Sequence, residues 1–458
     1  MEAVNVSSHI DELRQTFRAG RTRPLAWRRE QLRAIERMVT DHEERLFEAL
    51  RADLGKPAAE AYGGEVGFIR EEVHFTLKHL RRWTRPERVK TPLVNAIGKS
   101  EVVREPLGVV LIIGPWNYPV QLVLAPLIGA IAAGNCAVLK PSELAPHSSA
   151  LLGELVPQYL DPAAVRVVEG GVPETTALLE QRFDLIFFTG STRVGKVVMA
   201  AAAKHLTPVV LELGGKSPCI VSADVNVPTA ARRIVWGKFF NTGQTCVAPD
   251  YVLVHRSVER PLIEAMGTAL REFYGADPRQ SPDYGRIIND AHHARLVGLL
   301  ANAKVALGGE HDAAERYLAP TILEGVSPEH PVMQEEIFGP ILPVLPVDSM
   351  DEAIAFVNER EKPLALYVFS NDGDDAERVL GGTSSGGACV NDTLSHLAVP
   401  DLPFGGVGES GMGAYHGRHS FEAFSHRRGV LKRWTFPDVK LRYPPYEGKL
   451  PTFKRLIG

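Results

Sequence analysis

The sequence predicts an α/β fold: a parallel sheet with helices on both faces, followed by a second α/β unit. Three observations carry this expectation. Short, continuous apolar runs alternate with helix-length segments between residues 109 and 213, and strands buried between two helix layers read this way. A looser series of apolar runs and helical segments follows from residue 220. A chain of 458 residues also exceeds what one hydrophobic core organises, which implies two or three domains.

The elements follow in order. Residues 8–90 are rich in Arg, Glu, Leu and Ala, and Leu32, Ile35, Met38 and Val39 recur at three- and four-residue steps. That spacing predicts amphipathic helices. Pro86 and Pro92 interrupt it, and 101–107 reads as a short strand. The run 109–113 is followed by a Gly114-Pro115 break and an apolar helix over 120–133. Then come a strand at 137–139, a helix over 147–159, a strand at 165–168 and a helix from Pro173. A strand at 185–188, a helix after Gly190 and a strand at 209–213 complete the series. Gly114, Lys140, Glu169, Gly190 and Leu213 all follow strands. Ligands of such sheets bind at the carboxyl ends of the strands, so that edge is the candidate cofactor site. The second unit has runs at 220–221, 251–254, 365–369 and 387–390, with helices near 228–240, 257–273 and 351–360. The tail over 430–458 is rich in Pro and Lys and is expected to form no core of its own.

Composition narrows the function. A net charge of −4 gives no electrostatic footprint for nucleic acid. The cysteines at 136, 219, 246 and 389 form no CxxC pair, which argues against a disulfide framework or structural zinc and fits a reducing compartment. Met1-Glu2-Ala3-Val4-Asn5 has neither a basic region nor an apolar core, so no secretory leader and a cytoplasmic location are expected. The longest apolar stretch, 120–133, contains Gln121 and Pro126 and falls short of the roughly 18 residues a membrane-spanning helix needs.

The chemistry-bearing residues stand in short motifs. Phe240-Asn241-Thr242-Gly243-Gln244-Thr245-Cys246 places a cysteine in a small, polar, glycine-containing loop, where it can be a nucleophile. Glu212 ends the apolar run 209–213 and can be a partly desolvated base that activates water. Taken alone, such a cysteine is more often a small buried hydrophobe and such a glutamate is usually solvated or salt-bridged. Asn117, in Trp116-Asn117-Tyr118-Pro119, can donate its amide to an oxyanion or simply cap a turn. Lys140 and Glu143 follow the second strand and can meet a ribose or phosphate, or form a solvated loop pair. Gly190, Ser191 and Gly195 sit where a strand enters a helix, a place suited to an anion. Glu336 lies two residues before Phe338, a carboxylate for sugar hydroxyls beside an aromatic for a flat ring. His292, His293 and His416 lack metal-ligand spacing, and no metal is assigned.

Together, Glu212-Leu213-Gly214-Gly215-Lys216, Gly243-Gln244-Thr245-Cys246, Trp116-Asn117-Tyr118-Pro119, Lys140-Pro141-Ser142-Glu143, Glu336-Ile337-Phe338-Gly339-Pro340 and the glycine-rich 403–413 resemble the aldehyde dehydrogenase superfamily, in that family's order and over essentially the whole chain. Gly411-Met412-Gly413-Ala414-Tyr415-His416-Gly417 and Arg442-Tyr443-Pro444-Pro445-Tyr446 are most similar to its class 3 and fatty-aldehyde branch. The microsomal members carry an apolar C-terminal anchor, whereas this chain ends Phe453-Lys454-Arg455-Leu456-Ile457-Gly458, so no integral membrane anchor is expected.

The resemblance implies a Rossmann-like NAD(P)-binding domain over 1–85 and 107–211 and a catalytic domain over 212–420. Segments 86–106 and 421–458 would be bridging and oligomerisation elements of a homodimer. It implies oxidation of an aldehyde to the acid, with Cys246 as nucleophile, Asn117 and the Cys246 N–H as oxyanion donors, and Glu212 as base for the hydrolytic water. Glu336, Phe338, Lys140, Gly190, Ser191 and Gly195 would hold the cofactor, and Tyr118 and Thr245 would flank the reacting carbon. Glu143 favours NAD, since a carboxylate repels a 2′-phosphate, with NADP left open because class 3 relatives accept both. Two alternatives stand beside this: acyl transfer to coenzyme A, and a non-catalytic protein on the same scaffold.

Overall fold

The computed structural model describes residues 6–92, 95, 98–438 and 440–457; the stretch 1–5, on which the absence of a leader was read, lies outside them. The amphipathic N-terminal region folds as helices Val6–Arg18, Leu25–Asp41, Glu43–Leu54 and Gly67–Trp83, with Leu32, Ile35, Met38 and Val39 buried. The last is preceded by a short helix Ala58–Ala61 and a π-turn Tyr62–Val66. The chain then forms β1 (Glu87–Val89) and β2 (Gly98–Pro106).

The apolar runs become β3 (Val109–Ile113), β4 (Cys136–Lys140), β5 (Val165–Val167), β6 (Leu185–Thr189) and β7 (Val209–Glu212). They pair in parallel in the order β5-β4-β3-β6-β7. Every residue of β3, β4 and β6 is buried, as strands between two helix layers must be. The helix Gln121–Ala133 that follows β3 is buried at every position despite Pro126. The chain walks outward from β3 to β5, then crosses back to lay β6 on the other side of β3. That reversal is the topological switch point at which doubly wound sheets bind ligands.

A second sheet runs β10-β13-β14-β9-β8-β15-β16. It comprises β8 (Pro218–Val221), β9 (Tyr251–His255), β10 (Lys304–Leu307), β13 (Thr321–Glu324), β14 (Ile341–Val347), β15 (Ala365–Phe369) and β16 (Gly387–Val390), with β11 (His311–Asp312) and β12 (Tyr317–Leu318) as a separate pair. Its pairs are parallel except β10 with β13. The sequence reading found β8, β9, β15 and β16 and missed β10, β13 and β14. Pro343 and Pro346 within β14 explain part of this, since proline argues against an interior strand.

Two late segments return to earlier sheets. β17 (Gly411–Met412) pairs antiparallel with β7, Gly411 opposite Glu212. β18 (Ser425–Arg433) pairs antiparallel with β2 along its whole length, and β1 completes that three-stranded sheet. Among the described residues no helix is long and apolar enough to cross a membrane.

Candidate active site

Trp116 and Asn117 follow β3, Gly190 and Ser191 follow β6, and Gly214 comes two residues after Glu212 at the end of β7. These strand ends share a cavity of about 440 Å³ with Cys246, Glu336 and Phe338. The helix Thr192–Ala203 opens on it, and Ser191 caps that helix by accepting the Val194 N–H at 3.4 Å. Exposed N–H groups at such an end suit an anion. Glycine allows close packing twice here: a Cβ on Gly214 would stand 2.1 Å from a Glu336 carboxylate oxygen, and one on Gly195 would stand 2.7 Å from the Leu213 side chain, so either side chain would have to shift.

The Glu336 and Phe338 segment is pinned from beneath. Lys216 binds the carboxylate of Asp250 and donates to the carbonyls of Val332 and Glu335, both at 2.9 Å. Asp250 in turn accepts the Ile337 N–H at 2.9 Å, and Arg295 holds the Ile337 carbonyl at 2.6 Å. Phe338 has left-handed backbone, φ 50°, and its ring meets Trp116 edge-on at 5.2 Å. Burial pushes the Glu336 carboxyl up to about 8, helped by Asp250 and opposed by the Gly215 N–H.

Cys246 follows a turn of unusual backbone. Asn241 (φ 53°) and Thr242 (φ 56°) are left-handed, as is Gly243, where a Cβ would meet the Gly339 carbonyl oxygen at 2.3 Å. Left-handed backbone costs a non-glycine residue roughly 1–2 kcal/mol, and it persists only where the surroundings impose it. Here they do. The Asn241 N–H donates to Glu60 at 2.9 Å, and its side-chain amide donates to the Asn117 carbonyl at 2.9 Å and the Gln244 carbonyl at 3.1 Å. The Gln244 side chain donates to the Arg286 carbonyl and accepts the Ile288 N–H, each at 3.0 Å. The Asn117 amide donates to the Gln244 carbonyl at 3.0 Å, so one of its two N–H bonds is committed to the cysteine loop and the other is left over.

On its other side Cys246 lines a second cavity, of about 330 Å³, walled by Phe68, Leu122, Trp236, Phe240 and Phe404. Tyr118 and Thr245 stand in this wall, hydroxyl to hydroxyl at 2.7 Å. His416 is there too, and burial lowers its imidazole to about 3, so it is neutral. Among the described residues Cys246 alone lines both cavities.

Burial governs the titrating groups. It pushes the Cys246 thiol up, and the charges of Glu336 and Glu212 push the same way, while the N–H groups of Cys246 and Val247 oppose them. The thiolate is the reactive form of a cysteine nucleophile; in this structure burial and two carboxylates favour the thiol. Glu212 has both carboxylate oxygens buried without a hydrogen-bond partner, and burial alone drives it well above the usual carboxylate range.

Asn117, Gly190, Ser191, Glu212, Cys246, Glu336 and Phe338 therefore face one cavity, and Tyr118 and Thr245 join Cys246 in the other. Gly195 lies one helical turn behind. Lys140 ends β4 and Glu143 follows it, on the far side of β3, outside that lining; the Lys140 ammonium donates to the Pro141 carbonyl at 2.6 Å and to Glu143 at 3.3 Å. The sequence reading missed the supports Lys56, Glu65, Asp250 and Arg295 and the aromatic wall. Lys216 stood in a quoted motif with no role given. Among the described residues no group of three or more His, Cys, Asp or Glu is placed to hold a metal ion.

A doubly wound sheet whose cleft opens at the switch point, with a carboxylate and an aromatic beside a helix N-terminus, is the architecture of a dinucleotide-binding protein. The family model for the aldehyde dehydrogenase family matches residues 1–430, and the chain belongs to that family. It is 53% identical over 449 residues, 98% of this chain and 99% of the other, to the dimeric NADP-preferring aldehyde dehydrogenase of Mus musculus. It is 54% identical over 435 residues, 94% of this chain and 90% of the other, to mouse aldehyde dehydrogenase family 3 member A2. A solved substrate-bound state of Staphylococcus aureus AldH superposes with a TM-score of 0.97 at 47% identity, covering 100% of both chains. The resemblance to the class 3 branch and the α/β fold thus hold, and the chain is an NAD(P)-dependent aldehyde dehydrogenase.

Proposed function

We propose that the aldehyde is oxidised while covalently held on Cys246. The observation that carries this reading is the position of that sulfur, at the junction of a cleft built for a dinucleotide and an apolar pocket. The Cys246 thiol passes its proton to solvent as its sulfur adds to the carbonyl carbon, forming a thiohemiacetal oxyanion. The uncommitted Asn117 N–H and the Cys246 N–H hold that oxyanion. A bound nicotinamide supplies the hydride acceptor. Loss of hydride leaves a thioester on Cys246. Glu212, raised by burial, is a strong base once ionised; it takes a proton from water, the hydroxide displaces the Cys246 thiolate from the acyl carbon, and the proton held on Glu212 restores the thiol as the carboxylic acid leaves.

The cleft fits the cofactor through the helix N-terminus after Ser191, the glycine backbone at Gly190 and Gly214, and Glu336 with Phe338. Lys140 and Glu143 are read as facing the adenosine ribose, with NAD favoured by the Glu143 carboxylate and NADP also accepted. We assign cofactor binding to 1–85 and 107–211, catalysis to 212–420, and a bridging role in a homodimer to 86–106 and 421–458. The names of dimeric relatives support that assembly. A reducing compartment such as the cytoplasm suits the free cysteines.

Glu212→Gln is the test. With NAD(P) and aldehyde it is expected to give one burst of reduced cofactor per site, then turn over roughly 10²–10⁴-fold more slowly. Acid quenching then traps an acyl adduct on the Cys246 peptide. Absence of that adduct, with the burst retained, rules out the thioester. Efficient transfer of the acyl group to added coenzyme A would instead mark acylating chemistry.

A further inference from the structure

Lys56 and Glu65 form an ion pair at 2.6 Å with both side chains fully buried. A buried pair is weak evidence for stability, because desolvation consumes most of the attraction. What the two ends touch is more informative. One Glu65 oxygen takes the Lys56 ammonium, and the other accepts the N–H groups of Val120 and Gln121, both at 2.9 Å. Those N–H groups begin the helix Gln121–Ala133, where a negative charge is favoured. The Lys56 ammonium also donates to the Asn117 main-chain carbonyl at 3.0 Å and lies 4.2 Å from the Tyr118 ring centre.

The segment 117–121 is thereby gripped at both ends by one ion pair. The grip depends on the π-turn Tyr62–Val66, which carries Glu65. Turns of this kind are rare and cluster at functional positions. Its glycines allow the approach: a Cβ on Gly64 would come within 3.0 Å of the Tyr118 ring. The Asn117 carbonyl is shared by Lys56 and the Asn241 amide, so the strand-end loop and the cysteine loop are fastened at a single oxygen.

We propose that Lys56 and Glu65 are positioning residues for oxidation: they fix the Asn117 backbone so that its free amide N–H faces the oxyanion formed on Cys246. The inference rests on the oxyanion role given to Asn117 above. Misplacing a donor by about 1 Å can cost on the order of 10²-fold in rate.

The experiment is a double-mutant cycle read by the pre-steady-state burst of reduced cofactor, normalised to titrated Cys246 thiol. Lys56→Met and Glu65→Gln should each slow the burst roughly 10–100-fold, and Asn117→Ala roughly 10²–10³-fold. Adding either change to Asn117→Ala should slow it by no more than about threefold further, because coupled residues are not additive. Lys56→Arg should recover part of the loss. Cofactor binding and the reaction of Cys246 with iodoacetamide across pH should match wild type in every variant. Glu65→Gln keeps the volume and one acceptor, so it serves if Lys56→Met does not fold. Multiplicative effects in the double variants overturn the proposal, as do parallel losses in cofactor binding and alkylation, which mark general loosening. Wild-type burst speed in Asn117→Ala overturns the oxyanion reading and this one with it, whereas a slow Asn117→Ala with a fast Glu65→Gln overturns this one alone.

Discussion

The cleft on the sheet side of Cys246 is made of strand ends, a helix terminus and a pinned carboxylate, whereas the pocket on its other side is made of aromatic and aliphatic side chains. The first is rigid by construction: Lys216, Asp250 and Arg295 fasten the segment that carries Glu336 and Phe338. The second has no charged side chain among the described residues that line it, since His416 is neutral and the Tyr118 and Thr245 hydroxyls bond each other. A polar site rejects what lacks its partner groups, while an apolar pocket separates substrates by only about 1–3 kcal/mol per methylene. One constant partner and a range of aldehydes is the pairing this contrast suits.

The contrast can be broken at its shared point. Cys246→Ser should abolish burst and turnover together, by more than about 10³-fold, while cofactor still binds; persistent turnover would remove the sulfur from the chemistry. Each side can then be tested alone. At pH 9, where Glu336 is ionised, Glu336→Gln should raise the cofactor KM roughly 10–100-fold, the scale of a lost charged hydrogen bond, and leave the aldehyde KM unchanged. Trp236, which lines the apolar pocket and is 42% exposed, can be cut back with little harm to the core. Trp236→Ala should raise the KM of bulky apolar aldehydes about tenfold and spare both the cofactor KM and short aldehydes. If both variants move both constants, the cavities are not separate.

The mildest test is pH. Glu336 titrates at about 8, above its ordinary range, so it is protonated on the acid side and becomes a two-oxygen acceptor as pH rises through that value. Cofactor affinity should therefore improve several-fold from pH 7 to pH 9, since charged acceptors bind hydroxyls more strongly. Aldehyde KM should stay level, and Glu336→Gln should flatten the cofactor profile.

Much of this was legible in the chain. The runs that became β3, β4 and β6 are apolar at nearly every position, because both faces of each strand are covered. β14 was hidden by Pro343 and Pro346, and β17 by glycines that read as loop. Cys246, Glu212 and Asn117 stood out because their motifs are local. Lys56 and Glu65 did not: no local motif marks a lysine and a glutamate near glycines in a helical region, and only packing reveals that both are dry. The Cys246 surroundings were equally invisible, since the Glu212 and Glu336 charges that act on it come from segments distant in sequence.

The pairing of Gly411 with Glu212 bears on how the polypeptide is made. The outer edge of the cofactor sheet stays open during translation until its last strand arrives some two hundred positions later, and Gly411 must be glycine because a Cβ there would sit 2.1 Å from the Leu211 oxygen. Nascent chains stalled before this point carry an unpaired strand edge, a known route to aggregation. The chain must therefore be made through Met412 before the backbone beneath Glu212 is clamped on both sides.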